Sequence, residues 1–221
     1  MDTISRLQDQ LDEITSNTRE LVQEERLAIG ERAIEELFLS GAENRILPVG
    51  AKAPEFALKD SNNREVRSHD LLSLGPLVIK FFRGRWCPYC VTELEAWRDL
   101  YGALRAQGAL MVAISPQTVR QNDFAVQQHL FPFPLLSDEG CRLVDQFGLA
   151  YQVPAFHQSY YRSILVNIPF VNGDESWRLP MPATYVISQQ GTILFAEAHA
   201  DFRVRPEPAD VMAALTAKTR S

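Results

Sequence analysis

Apolar positions first recur at alternating steps of three and four. Ile4, Leu7, Leu11 and Ile14 form one stripe on an otherwise charged segment, the a/d spacing of a helix seam. Two heptads are too few for an independent coiled coil. A second helical stretch, roughly 18–40, carries Leu21, Val22, Ile29, Ile34, Leu37 and Phe38 and ends near Gly41. Two readings of this pair stand. The helices pack on a small core of their own, or they form an arm that grips a second copy and makes a homodimer.

The period then shortens. "LPVGAKAPEFALKDSNNREV" (47–66) predicts a lead-in loop, a short strand, a turn at "DSNN" and a partner strand. "SHDLLSLG" (68–75) predicts a short helix capped by Ser68 and closed by Gly75. The β-branched and aromatic run "PLVIKFF" (76–82) suits a buried central strand. "CVTELEAWRDLYGALRAQ" (90–107) returns to helical spacing through Leu94, Trp97, Leu100, Tyr101 and Leu104, and "ALMVAIS" (109–115) is a further buried strand. Strand, helix and strand with short connections imply a parallel βαβ unit.

Two more helices are expected at 120–130 and 141–149, a hairpin over 183–199 turning at "QQG", and a closing helix at 208–215. The stretch 154–177 fits this alternation least and is expected to be an inserted helix and loop. The pattern predicts an α/β protein of two units: a helical N-terminal extension, 1–45, and a sheet-containing domain, 46–221.

Charge sharpens that division. Residues 1–45 hold eleven Asp/Glu and five Lys/Arg, whereas 46–221 hold seventeen of each, so the net charge of -6 belongs to the extension. With no basic stripe, no nucleic-acid partner is expected. No apolar run approaches the ~20 residues that span a bilayer, so no membrane partner is expected either. The N-terminus lacks a basic stretch followed by an apolar one, which predicts a cytoplasmic protein. There, three cysteines point to catalysis or metal binding rather than structural disulfides.

"FFRGRWCPYC" (81–90) carries the chemistry. Cys87 falls where a buried strand hands over to a helix, and Cys90 lies one turn further on. Free N–H groups and the positive end of the helix dipole favour an anionic sulfur there. Arg83 and Arg85 add two cations within four residues, and Pro88 pre-sets the first helical turn. A cysteine so placed ionises below the free-thiol value of about 8.5. Zinc requires a second close ligand pair, and Cys141, His69, His129, His157 and His199 are scattered singly. The pair is therefore expected to be redox-active, with no metal and no cofactor. Pro182, just ahead of a strand, stands where a cis X-Pro bond would lie beside the cysteines. Trp86 is expected either to shield the sulfur pair or to cap the core. Cys141 is either a third redox thiol or, as a lone cysteine more often is, a small packed residue.

The order of these phrases resembles one family. "VGAKAPEFALKDSNNREV", a strand ending in "FF", a Cys-Pro nucleophile, "MVAISPQT", "FPLLSDEGCRLVDQFGL" and "PATYVISQQGTILF" follow one another as in the AhpC/TSA (alkyl hydroperoxide reductase and thiol-specific antioxidant) branch of the thioredoxin superfamily. The resemblance covers roughly 46–215. It implies a thioredoxin-like fold, a central mixed sheet flanked by helices. It also implies a thiol-dependent peroxidase in which Cys87 attacks a hydroperoxide and becomes a sulfenic acid, Cys90 condenses with it to a disulfide, and a thioredoxin- or glutathione-linked donor restores the dithiol.

The sequence departs from the family in three places. Lys80 and Gly84 replace the Pro and Thr of the usual P-x-x-x-T-x-x-C loop, the family's later arginine gives way around Pro182, and Phe81 stands where thioredoxins place a buried acid. Arg83 and Arg85 are the local candidates to stabilise the thiolate and a developing negative charge, with Arg203 and Arg205 more distant candidates. "WCPYC" and Pro182 keep a second enzyme reading open, a thiol–disulfide oxidoreductase. The acidic arm keeps open a third, a redox-regulated interaction protein.

Overall fold

The computed structural model describes residues 6–216. Two helices come first, α1 (Leu7–Leu21) and α2 (Glu24–Leu39). The antiparallel pair β1 (Ala57–Asp60) and β2 (Glu65–Arg67) leads into α3 (Ser68–Leu74). Then come β3 (Leu77–Phe81), α4 (Pro88–Ala106), β4 (Leu110–Ser115), α5 (Val119–His129) and β5 (Leu135–Ser137). After α6 (Arg142–Gln146), strand β6 (Ala150–Gln152) is followed by α7 (Ala155–Ser163), α8 (Ile168–Asn172) and β7 (Arg178–Pro180). The hairpin β8 (Ala183–Ile187) and β9 (Ile193–Ala198) precedes α9 (Pro208–Thr216).

Seven strands form one mixed sheet in the order β2-β1-β5-β4-β3-β8-β9. Its centre, β5-β4-β3, is parallel, and β8 runs antiparallel to β3. The expected βαβ unit is β3–α4–β4, and the expected hairpin is β8–β9. One correction concerns Ser68. It is the first residue of α3 and caps nothing; its hydroxyl accepts instead from the Phe56 backbone N–H at 3.0 Å.

Alternation along β3 divides the core in two. Leu77, Ile79 and Phe81 face a cluster with Val112, Ile114, Phe147 and Tyr185. Val78 and Phe82 face the other side, with Cys87, Cys90, Leu94, Trp97, Val211 and Leu215. Lys80 has the parity of this second side, so the strand itself delivers a fully buried lysine to the cysteine face.

The N-terminal seam does something that neither sequence reading anticipated. α1 packs on α4 of its own chain, and Leu7 and Leu11 join the cluster that contains both cysteines, with Ile14 packed against it. Ile4, the remaining seam residue, lies outside the described residues. The Glu207 carboxylate accepts from the backbone N–H groups of Leu7 and Gln8, each at 3.0 Å, so α9's lead-in caps the free N-terminus of α1.

Candidate active site

The turn between β3 and α4 builds the site. Cys87 is the N-cap of α4 in extended conformation, with Pro88 at the first helical position. The backbone N–H groups of Cys90 and Val91 both donate to the Cys87 carbonyl at 3.1 Å. Cys90 therefore follows one tight turn later, on the same side as the Cys87 sulfur. The two thiols are unbridged, and both are buried, at 1% and 0% exposure.

Each sulfur has its own guanidinium. Arg83 Nη1 lies 3.9 Å from Cys87 Sγ, and Arg205 Nη2 lies 3.8 Å from Cys90 Sγ. Arg83 is itself caged. Its carbon centre sits 4.2 Å from the Phe202 ring and 4.9 Å from that of Trp86, and it donates to the Tyr161 hydroxyl. Burial alone pushes the Cys87 thiol up. A hydrogen bond from the Cys90 thiol, with the charges of Arg83 and Arg205, outweighs burial and brings Cys87 down to about 6. Cys90 moves the opposite way, held well above the ordinary thiol range by burial and by its bond to the Cys87 sulfur.

Behind Cys90 lies a buried ion cluster. Arg205 Nε donates to Glu93 Oε2 at 2.9 Å, while Lys80 donates to Glu93 Oε1 and to the Thr184 hydroxyl. The carboxylate missing from position 81 is thus supplied by α4, two positions before Glu95 and three after Cys90. Burial lowers the Lys80 amine, opposed by Glu93. Sequence reasoning passed over Glu93, although a signal was present. It shares its helical face with Cys90, Leu94 and Trp97, and is the charged member of that apolar stripe. Lys80 stands out in "PLVIKFF" in the same way.

The other expected residues divide. Arg83 is at the thiol. Arg85 is not: its Nε donates to Gln121 Oε1 at 2.7 Å and its guanidinium faces Phe124, so α5 diverts it from the sulfur. Arg203 is held by Glu31 and Asp201, and it ties α2 to the loop after β9. Trp86 is half-buried and packs edge-on against Tyr161, 5.2 Å between rings. Pro182 is buried beside Ala183, which pairs with Phe81, but its peptide bond is trans, as are all those described.

Gly84 has φ +150, and a Cβ there would meet the Trp86 indole nitrogen at 2.4 Å. Glycine is what lets Trp86 fold over the turn. Cys141 is buried, and burial pushes its thiol up to about 12, so it is a packed residue. Among the described residues no group of three or more His, Cys, Asp or Glu side chains is placed to hold a metal ion, and no helix is long and apolar enough to cross a membrane.

The stretch 154–177 forms α7 and α8 between the strands of the small β6–β7 sheet. It delivers Tyr161 to Arg83 and stacks the buried His157 on that tyrosine at 4.3 Å. Burial and the nearby Arg83 charge bring His157 down to about 4, so it is neutral at pH 7. A cavity of ≈ 350 Å³ lies between α2 and this insert, with Tyr151 and Phe202 in its wall.

Two unbridged cysteines thus stand at the strand-to-helix turn of a thioredoxin-like sheet. Residues 49–196 match the AhpC/TSA family model, and the chain belongs to that family. It is 28% identical over 146 residues to the chloroplastic peroxiredoxin Q of Oryza sativa subsp. japonica, covering 66% of this chain and 57% of the relative. A match of 29% identity over 114 residues to a putative peroxiredoxin bcp of Coxiella burnetii covers 52% of this chain and 75% of that one. The fold superposes on peroxidoxin BcpB from Mycobacterium tuberculosis with a TM-score of 0.62 at 24% identity, over 79% of this chain and 99% of the other. The chain thus spans 57% of the length of its rice relative.

Proposed function

We propose that the chain is a thiol-dependent peroxidase that reduces hydrogen peroxide or organic hydroperoxides. The observation that carries this reading is the Cys87 thiol, lowered to about 6 beside a caged, fully buried Arg83. At neutral pH Cys87 is a thiolate, the form that attacks an O–O bond. Its sulfur takes the terminal OH of the hydroperoxide as a sulfenic acid, and the alkoxide or hydroxide that leaves takes a proton from solvent. Cys90 then attacks the Cys87 sulfur, the S–O bond breaks, and the leaving hydroxide departs as water with the Cys90 proton. A thioredoxin- or glutathione-linked dithiol donor supplies two electrons and two protons to restore the pair.

Arg83 Nε and Trp86 Nε1 are buried donors without an acceptor among the described residues. They stand in for the loop threonine that the family uses to hold peroxide oxygens. The cavity beside Tyr151 and Phe202 has room for the organic group of a larger hydroperoxide. Membership of the AhpC/TSA family and the peroxiredoxin relatives support the same reading. Disulfide exchange is the weaker reading, because the family match and the relatives favour a peroxidase. Both sulfurs and both arginines come from one chain; a homodimer through the N-terminal helices is a separate proposal, tested by light scattering. A reducing compartment, the cytoplasm, belongs to the proposal because the cycle rests in the dithiol state.

The test is stopped-flow oxidation of the reduced protein by hydrogen peroxide and cumene hydroperoxide, followed by Trp fluorescence. Fast oxidation, abolished by Cys87→Ser and arrested at sulfenic acid by Cys90→Ser, is the expected result. Oxidation no faster than that of a free thiol would overturn the reading.

A further inference from the structure

The site holds more buried positive charge than its one carboxylate balances. Arg83, Arg205 and Lys80 converge on a region whose carboxylate is Glu93, and all four side chains are buried. Arg205 and Lys80 share the two oxygens of Glu93, and the Cys87 thiolate serves Arg83. Peroxide attack removes that thiolate, because a sulfenic acid is neutral. Arg83 then loses the anion it faced, in a setting where water screens little.

A thiol able to supply a new anion is Cys90, whose S–H is bonded to the Cys87 sulfur. Its sulfur lies 3.8 Å from Arg205 Nη2, and Arg205 is anchored in place by Glu93 and by its own donation to the Val204 carbonyl at 2.8 Å. The two guanidiniums are therefore not interchangeable, since each faces a different sulfur. We propose that Arg205 is the activating cation of Cys90, holding it as the thiolate that attacks the Cys87 sulfenic acid, so that one negative charge passes from the first sulfur to the second within each turnover.

Atoms balance in this scheme. Cys90 gives up its proton, its sulfur lone pair forms the S–S bond, and the displaced hydroxide takes the proton as water. The direction of the Cys90 ionisation agrees. After burial, what holds Cys90 up is its bond to the Cys87 sulfur and that sulfur's charge, and both end when Cys87 is oxidised, while Arg205 and Arg83 continue to pull it down. Arg205 lies beyond residues 49–196, the span that matches the family, and reaches the site from the segment between β9 and α9.

The inference rests on the proposed peroxidase reading, and two readouts separate the failure of one from the failure of the other. The first uses no peroxide. In a Cys87→Ser background, where no Cys87 thiolate exists, the alkylation rate of Cys90 by iodoacetamide is followed against pH. Adding Arg205→Met is expected to raise the midpoint by at least one unit, and Arg205→Lys by less. An unchanged midpoint overturns the proposal.

The second readout is two-phase stopped flow with hydrogen peroxide at pH 8. Arg205→Met is expected to slow disulfide formation at least ten times more than it slows sulfenic acid formation. Equal slowing of both phases, or of neither, overturns the proposal. Should Arg205→Met fail to fold by circular dichroism, Arg205→Lys carries both tests, with an upward midpoint shift and a second phase slowed at least threefold more than the first. A protein whose Cys87 ignores peroxide loses the peroxidase reading, while the Cys90 midpoint still decides the role of Arg205.

Discussion

At the residue scale, ionisation at this site follows from who faces whom. Burial opposes a thiolate at Cys87, and the site reverses that with a thiol donor on one side and a guanidinium on the other. The sign of the pH dependence follows. Cys87 is charged above about 6 and neutral below it, so the oxidation rate should fall tenfold per pH unit below 6 and level off above. Arg83→Met should move the midpoint up toward the ordinary thiol value and slow oxidation at pH 7 by roughly tenfold or more. Oxidation by hydrogen peroxide, followed from pH 5 to 9, checks both. A midpoint near that of a free thiol in the unsubstituted protein contradicts the assignment.

At the element scale, the informative piece is α1. An acidic helix with a two-heptad seam is an ordinary candidate for a subunit contact, yet here the seam meets α4, the helix that Cys87 caps. The Thr15 hydroxyl lies 3.1 Å from the Tyr89 hydroxyl, so α1 also touches one of the two residues between the cysteines. Leu11, fully buried in the cysteine-side cluster, supports this contact. Leu11→Ala should destabilise the whole protein by about 2–5 kcal/mol, the usual cost of a Leu-to-Ala cavity. Guanidinium denaturation measures it. A loss well under 1 kcal/mol, or a separate early transition, would show that α1 is not part of the main core. The insert is the second such element, because it reaches across to place Tyr161 on Arg83.

At the scale of the whole molecule, the N-terminal helices and the C-terminal segment are fastened to each other as well as to the sheet. Glu207 caps α1, and Arg203 holds Glu31 of α2 with both of its terminal nitrogens. Arg205, between these two anchors, is thereby kept at Cys90. Deleting residues 1–40 should lower the melting temperature by roughly 10 °C or more, as expected for the loss of several kcal/mol in a chain of this size. It should also slow disulfide formation by loosening Arg205. Calorimetry with size-exclusion light scattering checks this. Unchanged melting with a dimer becoming monomer would make the arm an assembly device instead.

The sequence by itself determined the α/β alternation, the β3–α4–β4 unit, the closing hairpin and helix, and Cys87 at a helix start with Cys90 one turn on. Those features are set by short-range terms: apolar period, β-branching, a proline at the first helical position and three-residue spacing. Only the tertiary structure decided which charges reach the sulfurs. Arg85, two residues from Cys87, is drawn off by Gln121, while Arg205, 115 residues beyond Cys90, makes contact. Nor does local sequence reveal that Glu93 and Lys80 meet, that Pro182 stays trans, or that the N-terminal seam folds back on its own chain. The reason is physical. Local patterns fix backbone periodicity and which face of an element is buried, whereas a charge pair inside the core depends on how separate elements cross, and that geometry is a property of the packed whole.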